Sequence, residues 1–293
     1  MILERCPNNP LITPGLHPSI GSNLNGPSLL RVPDWLPNPL GRYYLYFGHH
    51  HGAFIRLAYA DQVEGPWQIH APGTLRVEQT ICADHIASPD VHVDAAQRQI
   101  RMYFHGPAAG GPPVHAETAG QYSFVAVSPD GLHFTAQPQP LGAPYFRVFQ
   151  WQGMHYALGM PGVFYRSSDG LSGFEAGPTL FSSAMRHSAV EVRGHSLHMF
   201  YSNAGDCPER ILHSTIDLRP DWQHWQAAPP TTALEPEMEY EGANLALEPS
   251  ERGWAPDPVR ELRDPALFSE AGRTLLLYSV AGEAGIAAAQ VLD

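Results

Sequence analysis

The stretch Ser188–Asn203, SAVEVRGHSLHMFYSN, decides the fold class. It reads as a strand over Ser188–Arg193, a turn at Gly194 and a second, aromatic-rich strand over Ser196–Asn203. Working outward, the same hairpin recurs four times. Ser28–Val32 leads to Arg42–His50 (RYYLYFGHH), and Pro89–Asp94 leads to Ile100–His105 (IRMYFH). Tyr145–Gln150 turns at Gln152–Gly153 into Met154–Gly159, and Pro265–Ser269 leads to Thr274–Val280 (TLLLYSV). The openings, near residues 28, 88, 145, 188 and 265, are about 59 residues apart on average. Third and fourth strands are expected after most hairpins: IRLAYAD then GPWQIH, YSFVAVSPDGLHF, VFYRSSDGLSGF, and RILHSTIDL then WQHW. SPDGLHF, SSDGLSGF and DQVEGPW occupy matching places as the turn into the outermost strand. Four-stranded units at a fixed period predict an all-β, single five-bladed β-propeller spanning residues 1–293. The last unit is short, so the N-terminal ILERCPNNPLI segment is placed to close the ring, and two packed sandwiches are the alternative.

Composition agrees. The 27 glycines and 29 prolines punctuate the chain heavily, and charged residues are only 16% of it, which suits short strands and turns rather than long helices. All 17 basic side chains are arginine, so a lysine Schiff base, covalent pyridoxal phosphate chemistry and a P-loop lysine are excluded. A net charge of −12 argues against nucleic acid as a partner. Three widely spaced cysteines fit neither a disulfide framework nor a CxxC zinc site. Glu4 and Arg5 stand where a signal peptide would be apolar, and no run approaches about 20 apolar residues, so the expectation is a cytoplasmic protein with no membrane partner. The oligomeric state is not legible.

The opening NPLITP, NGPSLL in the first unit, SPDVHVD in the second, PYFRVF in the third and LRDPALFSEAGRTLLLYSVAGEAGIAAA in the fifth carry a resemblance. Together these resemble the five-bladed propeller glycoside hydrolases around families 43, 32, 117 and 130, in which such strand openings face a central funnel. The resemblance implies a sugar pocket at the funnel mouth. It departs from family 43 at the usual carboxylate triad: Gly26 (or Asn25), Tyr145 and Arg186 (or His187) fall at those places, and none is a carboxylate. Family 117 resembles a variant with histidine as the acid, and family 130 phosphorylases manage with one carboxylate plus basic residues that hold phosphate.

Glycoside hydrolysis needs a proton donor for the leaving oxygen and a base or nucleophile across the ring. Three candidates stand where a strand enters the funnel, Asp90, Asp264 in RELRDP and His187 in AMRHSAV, and a fourth, Glu241 on the long connection before the fifth unit, is placed to enter the mouth as a mobile acid. Each has a structural alternative: a buried network around Asp90–His92–Asp94, an ion pair of Asp264 with Arg263, an interface histidine, and a solvated acidic loop. Asn25, His50, His105, Arg147, Arg186 and Arg263 are the expected substrate-binding residues, with Arg147 able either to fork onto a sugar or anion or to tie blades together. Tyr44, Trp151 and Tyr165 are candidate stacking platforms. No cofactor is required by this chemistry. A structural or catalytic divalent ion has the Asp90, His92, Asp94 strand as its best candidate site. The function expected is an exo-acting, inverting glycoside hydrolase on a small oligosaccharide or glycoside. The alternatives are an inverting phosphorylase, a sugar-binding propeller without catalysis, and a metal-dependent lyase or hydrolase.

Overall fold

Strands rich in tyrosine, leucine and phenylalanine, apolar on both faces, need cover on both sides, and five of them stacked around an axis supply it for one another. The computed structural model describes residues 1–109, 116–118 and 120–292. It contains five four-stranded antiparallel sheets arranged as the blades of a β-propeller. After β1 (Ile2–Arg5), the first blade is β2 (Asn25–Arg31), β3 (Tyr43–Gly48), β4 (Arg56–Ala60) and β5 (Gln68–Ile69). The second is β6 (Ala87–Asp94), β7 (Gln99–Pro107), β8 (Gln121–Ser128) and β9 (Thr135–Ala136). The third is β10 (Arg147–Trp151), β11 (Met154–Gly159), β12 (Val163–Ser167) and β13 (Glu175–Thr179). The fourth is β14 (Met185–Arg193), β15 (Ser196–Asn203), β16 (Ile211–Asp217) and β17 (Thr231–Leu234). The fifth combines β18 (Arg263–Glu270), β19 (Arg273–Val280) and β20 (Gly285–Leu292) with β1, which pairs antiparallel with β20 from Ile2 opposite Leu292 to Arg5 opposite Ala289. The first strand of the chain thus completes the last blade and closes the ring, as its position in the sequence suggested. No helix among the described residues is long and apolar enough to cross a membrane.

The core lies between blades. Tyr44, Tyr46 and Leu57 of the first pack with Met102, Phe104 and Phe124 of the second, and Leu158 and Phe164 of the third pack with Met199 and Tyr201 of the fourth. The repeated Asp-Gly phrases have one local cause. Asp130 Oδ1 accepts from the backbone N–H of Leu132 and His133, and Asp169 Oδ1 from those of Leu171 and Ser172, forming the same side-chain-closed turn in two blades. These bonds hold both carboxyls at about 2 in spite of partial burial. The WQHW segment departs from expectation. Asp221 accepts from the N–H of Gln223 and caps a single 3-10 turn over Trp222–His224, and the outer strand of that blade is Thr231–Leu234.

Candidate active site

Four of the five inner strands, β2, β6, β14 and β18, begin with the same irregularity. The pairing register shifts between Asn25 and Ser28, Ala87 and Asp90, Met185 and Ser188, and Arg263 and Ala266. At three of these bulges the backbone turns left-handed, with φ of 55° at Gly26, 49° at Ser88 and 49° at Asp264, and Tyr145, just ahead of β10, has φ of 65°. Only glycine fits the first of these, because a Cβ there would stand 2.7 Å from Ser88 Cα. Residues at these strand openings, Asn25, Ser88, Tyr145 and His187, line one cavity, whereas Ser28, Asp90, Arg147 and Ala189, farther along the same strands, line another.

At that end lies a small cavity of about 110 Å³ lined by Asn25, His50, His51, His85, Ser88, His105, Gln121, Tyr145 and His187, with Ala87 at its edge. His187 is its central feature. Its Nδ1 is in direct contact with Oδ1 of Asp264, which is wholly buried and also accepts from Ser279 Oγ at 3.1 Å. An imidazole whose Nδ1 is turned to a carboxylate carries its proton there and leaves the Nε2 lone pair for the cavity. Burial, with the Arg186 charge adding to it, pushes the His187 imidazole well below its ordinary range, so it is neutral at physiological pH. Tyr145 sits between two histidines, its ring centroid 4.1 Å from that of His187 and 3.8 Å from that of His105. Burial lifts the Tyr145 phenol to about 12 and holds His105 well below the usual imidazole range.

A second histidine–carboxylate pair stands on the first-blade side. His50 Nδ1 is 3.5 Å from Glu283 Oε1, and Glu283 is also hydrogen-bonded by Asn23 Nδ2 and lies 3.5 Å from Arg263 Nη1. Burial alone would raise the Glu283 carboxyl, but His50, Asn23 and Arg263 together hold it below the usual range. Asn25 donates from Nδ2 to Asn23 Oδ1 at 3.2 Å, and Asn23 Oδ1 also accepts from the His50 backbone N–H at 2.8 Å, which joins these residues into one polar wall.

The three arginines are structural. Arg147 spans the channel, donating from Nε to Ser188 O at 2.8 Å and from Nη1 to Pro89 O at 2.6 Å. It therefore ties the second, third and fourth blades, and it lines a separate cavity with Ser28, Asp90 and Ala189. Arg186 donates to Glu209, Glu251 O and Gly253 O. Arg263 binds Glu261 and Gly253 O, with Glu209 at 3.6 Å. Both hold the 249–262 connection against the propeller and neither lines the cavity.

Two proposed catalytic carboxylates lie elsewhere. Asp90 stands two residues beyond its bulge and faces the channel below Arg147, where Oδ2 accepts from Val148 N–H at 2.8 Å and pairs with His92 Nε2 at 2.8 Å. Asp94 is bound to Arg101, so Asp90, His92 and Asp94 do not converge as a metal site would require. Glu241, expected as a mobile acid, is fully buried at the edge of the fifth blade. It accepts from Arg5 Nε and Nη2, Tyr278 Oη, and the backbone N–H of Glu237 and Met238. The expected aromatic platforms also fail: Tyr44 and Tyr165 are blade core, and Trp151 lines a separate cavity beside Trp222.

Trp254, on the connection into the fifth blade, is 44% exposed and stands at the mouth, 5.4 Å from the His51 ring and 6.4 Å from that of His50. Sequence reasoning missed it and Glu283. Trp254 lies in a Pro-rich stretch with no strand pattern, and Glu283 in the turn between two strands, positions that periodicity does not address.

The likeness of this chain to known proteins bears on the fold and on kinship. No family model matches it. It is 36% identical over 303 residues to the uncharacterized protein R118 of Acanthamoeba polyphaga mimivirus, covering 92% of this chain and 83% of that one. The chain belongs to the family of that viral protein. Among solved structures, the fold is that of family 43 glycoside hydrolases. The enzyme CoXyl43 from a compost microbial metagenome, a β-xylosidase/α-arabinofuranosidase in complex with xylotriose, matches at TM-score 0.64 and 13% identity over 99% of this chain and 96% of its own. The family 43 enzyme of Xanthomonas citri complexed with xylose matches at 0.60 and 15% over 92% and 88%. An exo-1,5-α-L-arabinanase from a bovine ruminal metagenomic library matches at 0.61 and 10% over 92% and 94%.

Proposed function

We propose that the protein is a glycoside hydrolase acting on the end of a small oligosaccharide or glycoside, with inversion at the anomeric carbon. The observation that carries this reading is the His187–Asp264 pair, with His187 lining the cavity, on a propeller fold shared with family 43 enzymes. In this reading, neutral His187, held by Asp264, takes a proton from water as its oxygen bonds to the anomeric carbon. The glycosidic C–O bond breaks, and its oxygen takes a proton from His50, whose ring is oriented by Glu283. Tyr145 and His105 supply the wall against which the ring rests. Arg147 bridges Pro89 O and Ser188 O on the inner strands of the two neighbouring blades, and in this reading it blocks the channel below the sugar, so that a chain end fits and a chain interior does not, which supports exo action. The arginine arrangement gives a phosphorylase little support, since Arg147, Arg186 and Arg263 all have protein partners.

The test is a panel of aryl α- and β-glycosides, furanosides included, with and without phosphate and EDTA, followed on the best member by proton NMR of the first anomer released. Turnover with the inverted anomer first supports the reading; a retained anomer first overturns the inverting mechanism. A second reading, a sugar-binding propeller without catalysis, draws on one observation: among the described residues no carboxylate itself lines the cavity. Silence across the panel together with saturable thermal stabilisation by a free sugar would establish it.

A further inference from the structure

Arg56, the first residue of β4, is 6% exposed, and its Nε and Nη1 have no hydrogen-bond partner among the described residues. Among the described residues no carboxylate pairs with it, in contrast to Arg147, Arg186 and Arg263, whose charges are met by Asp90, Glu209 and Glu261. A buried guanidinium lacking both counter-charge and acceptors is costly unless something supplies them. Its plane rests on Phe54, with the guanidinium carbon 4.9 Å from the ring centroid.

A second donor converges on the same spot. The backbone N–H of His51 donates to His49 Nδ1 at 3.1 Å, so the neutral His49 ring carries its proton on Nε2. A methyl group built on Gly21 would stand 3.7 Å from His49 Nε2 and 4.0 Å from Arg56 Nη2, so both donors border the space that this glycine leaves open. A methyl group built on Gly52 would stand 3.1 Å from Arg56 Nη1 and 3.0 Å from the His49 carbonyl oxygen. Burial beside Arg56 takes the His49 imidazole down to about 4, which keeps it a neutral N–H donor, and burial takes Arg56 down to about 10, still a cation at neutral pH.

We propose that Arg56 and His49 form an oxyanion site, for a phosphate or carboxylate group, beside the funnel on the first-blade side. His49 immediately precedes His50 of the cavity wall, so an anionic group there lies next to a sugar in the funnel. The oxyanion comes either free, as an inorganic ion, or attached to an acidic sugar. The second source rests on the glycosidase reading, whereas anion binding itself does not.

The experiment is thermal melting of the full chain titrated with inorganic phosphate, with glucuronate and with glucose, at ionic strength matched by chloride. The expected result is a saturable rise of a few degrees with phosphate or glucuronate. Arg56→Met should abolish it, and His49→Phe should weaken it at least tenfold. A rise with phosphate alone assigns a free anion; a rise with glucuronate that glucose does not give assigns an acidic sugar. Without anion, Arg56→Met should melt at or above the wild type, because an unmatched buried charge has been removed. Flat titrations with both anions, an undiminished rise in Arg56→Met, or a lower melting temperature of Arg56→Met without anion would each overturn the site.

Discussion

Nδ1 of His187 is turned onto Oδ1 of Asp264, although the two residues lie on the inner strands of neighbouring blades, β14 and β18. The contact fixes which nitrogen carries the proton and leaves the other facing the funnel. Asp264→Asn keeps the shape but favours the wrong tautomer. We expect it to lower kcat by about 10²–10⁴-fold with little change in KM, the scale of a lost general base. Steady-state kinetics on any active aryl glycoside check this. A KM effect with kcat intact would assign Asp264 to binding.

The neutral state of His187 has a direction in pH. Its folded value lies well below 6.5, so the base remains competent as pH falls through the ordinary histidine range. The acid limb of kcat/KM assigned to His187 should therefore lie below pH 6.5 in a pH–rate profile.

Stability should fall over that same range. His49 and His213 are lowered from 6.5 to about 4, and His105 and His187 lie well below 6.5. Between about 4 and 6.5 the unfolded chain binds protons at these sites that the native state refuses. Stability then increases with pH across this window and is lost as pH drops. Asp130 and Asp169, at about 2, add a further loss only as pH falls below 3.8. Melting temperature against pH checks this, and His213→Gln should flatten the slope between pH 4 and 6.5.

Glu241 belongs to the closure of the ring, where it anchors Arg5 of β1. Glu241→Gln removes the buried carboxylate that pairs with Arg5 and leaves it only the exposed Glu237. We expect a loss of about 3–5 kcal/mol and a melting temperature lower on the order of 10 °C, with kcat of the folded enzyme unchanged. Calorimetry and kinetics below the transition measure both.

Trp254 offers an exposed indole at the mouth, and Trp254→Ala removes one stacking surface. KM should rise about 3- to 10-fold, with kcat changed far less. An equal drop in kcat and kcat/KM would place the indole at the reacting centre.

Much of the ring was legible in the sequence because each hairpin has the same physical need: an aromatic strand covered on both faces. β1 completing the fifth blade followed from the shortness of that blade. The site was legible less evenly. Strand alternation made Asp90 look like a funnel residue, but the bulge at Ser88 shifts the register and turns Asp90 down the channel. Asp264 and His187 were both singled out in the sequence, yet their mutual contact depends on how two blades pack, which no spacing within one strand encodes. Glu241 looked solvated among its acidic neighbours, and only the fold brings Arg5, from 236 residues away, against it.

The most direct measurement is chromophore release from the aryl-glycoside panel by the wild type and His187→Gln side by side, each shown folded by its melting curve. We predict turnover of at least one glycoside by the wild type and a loss of about 10²-fold or more in the variant. Turnover unaffected by His187→Gln, or no turnover of any glycoside by the wild type, would contradict the assignment of catalysis to this funnel.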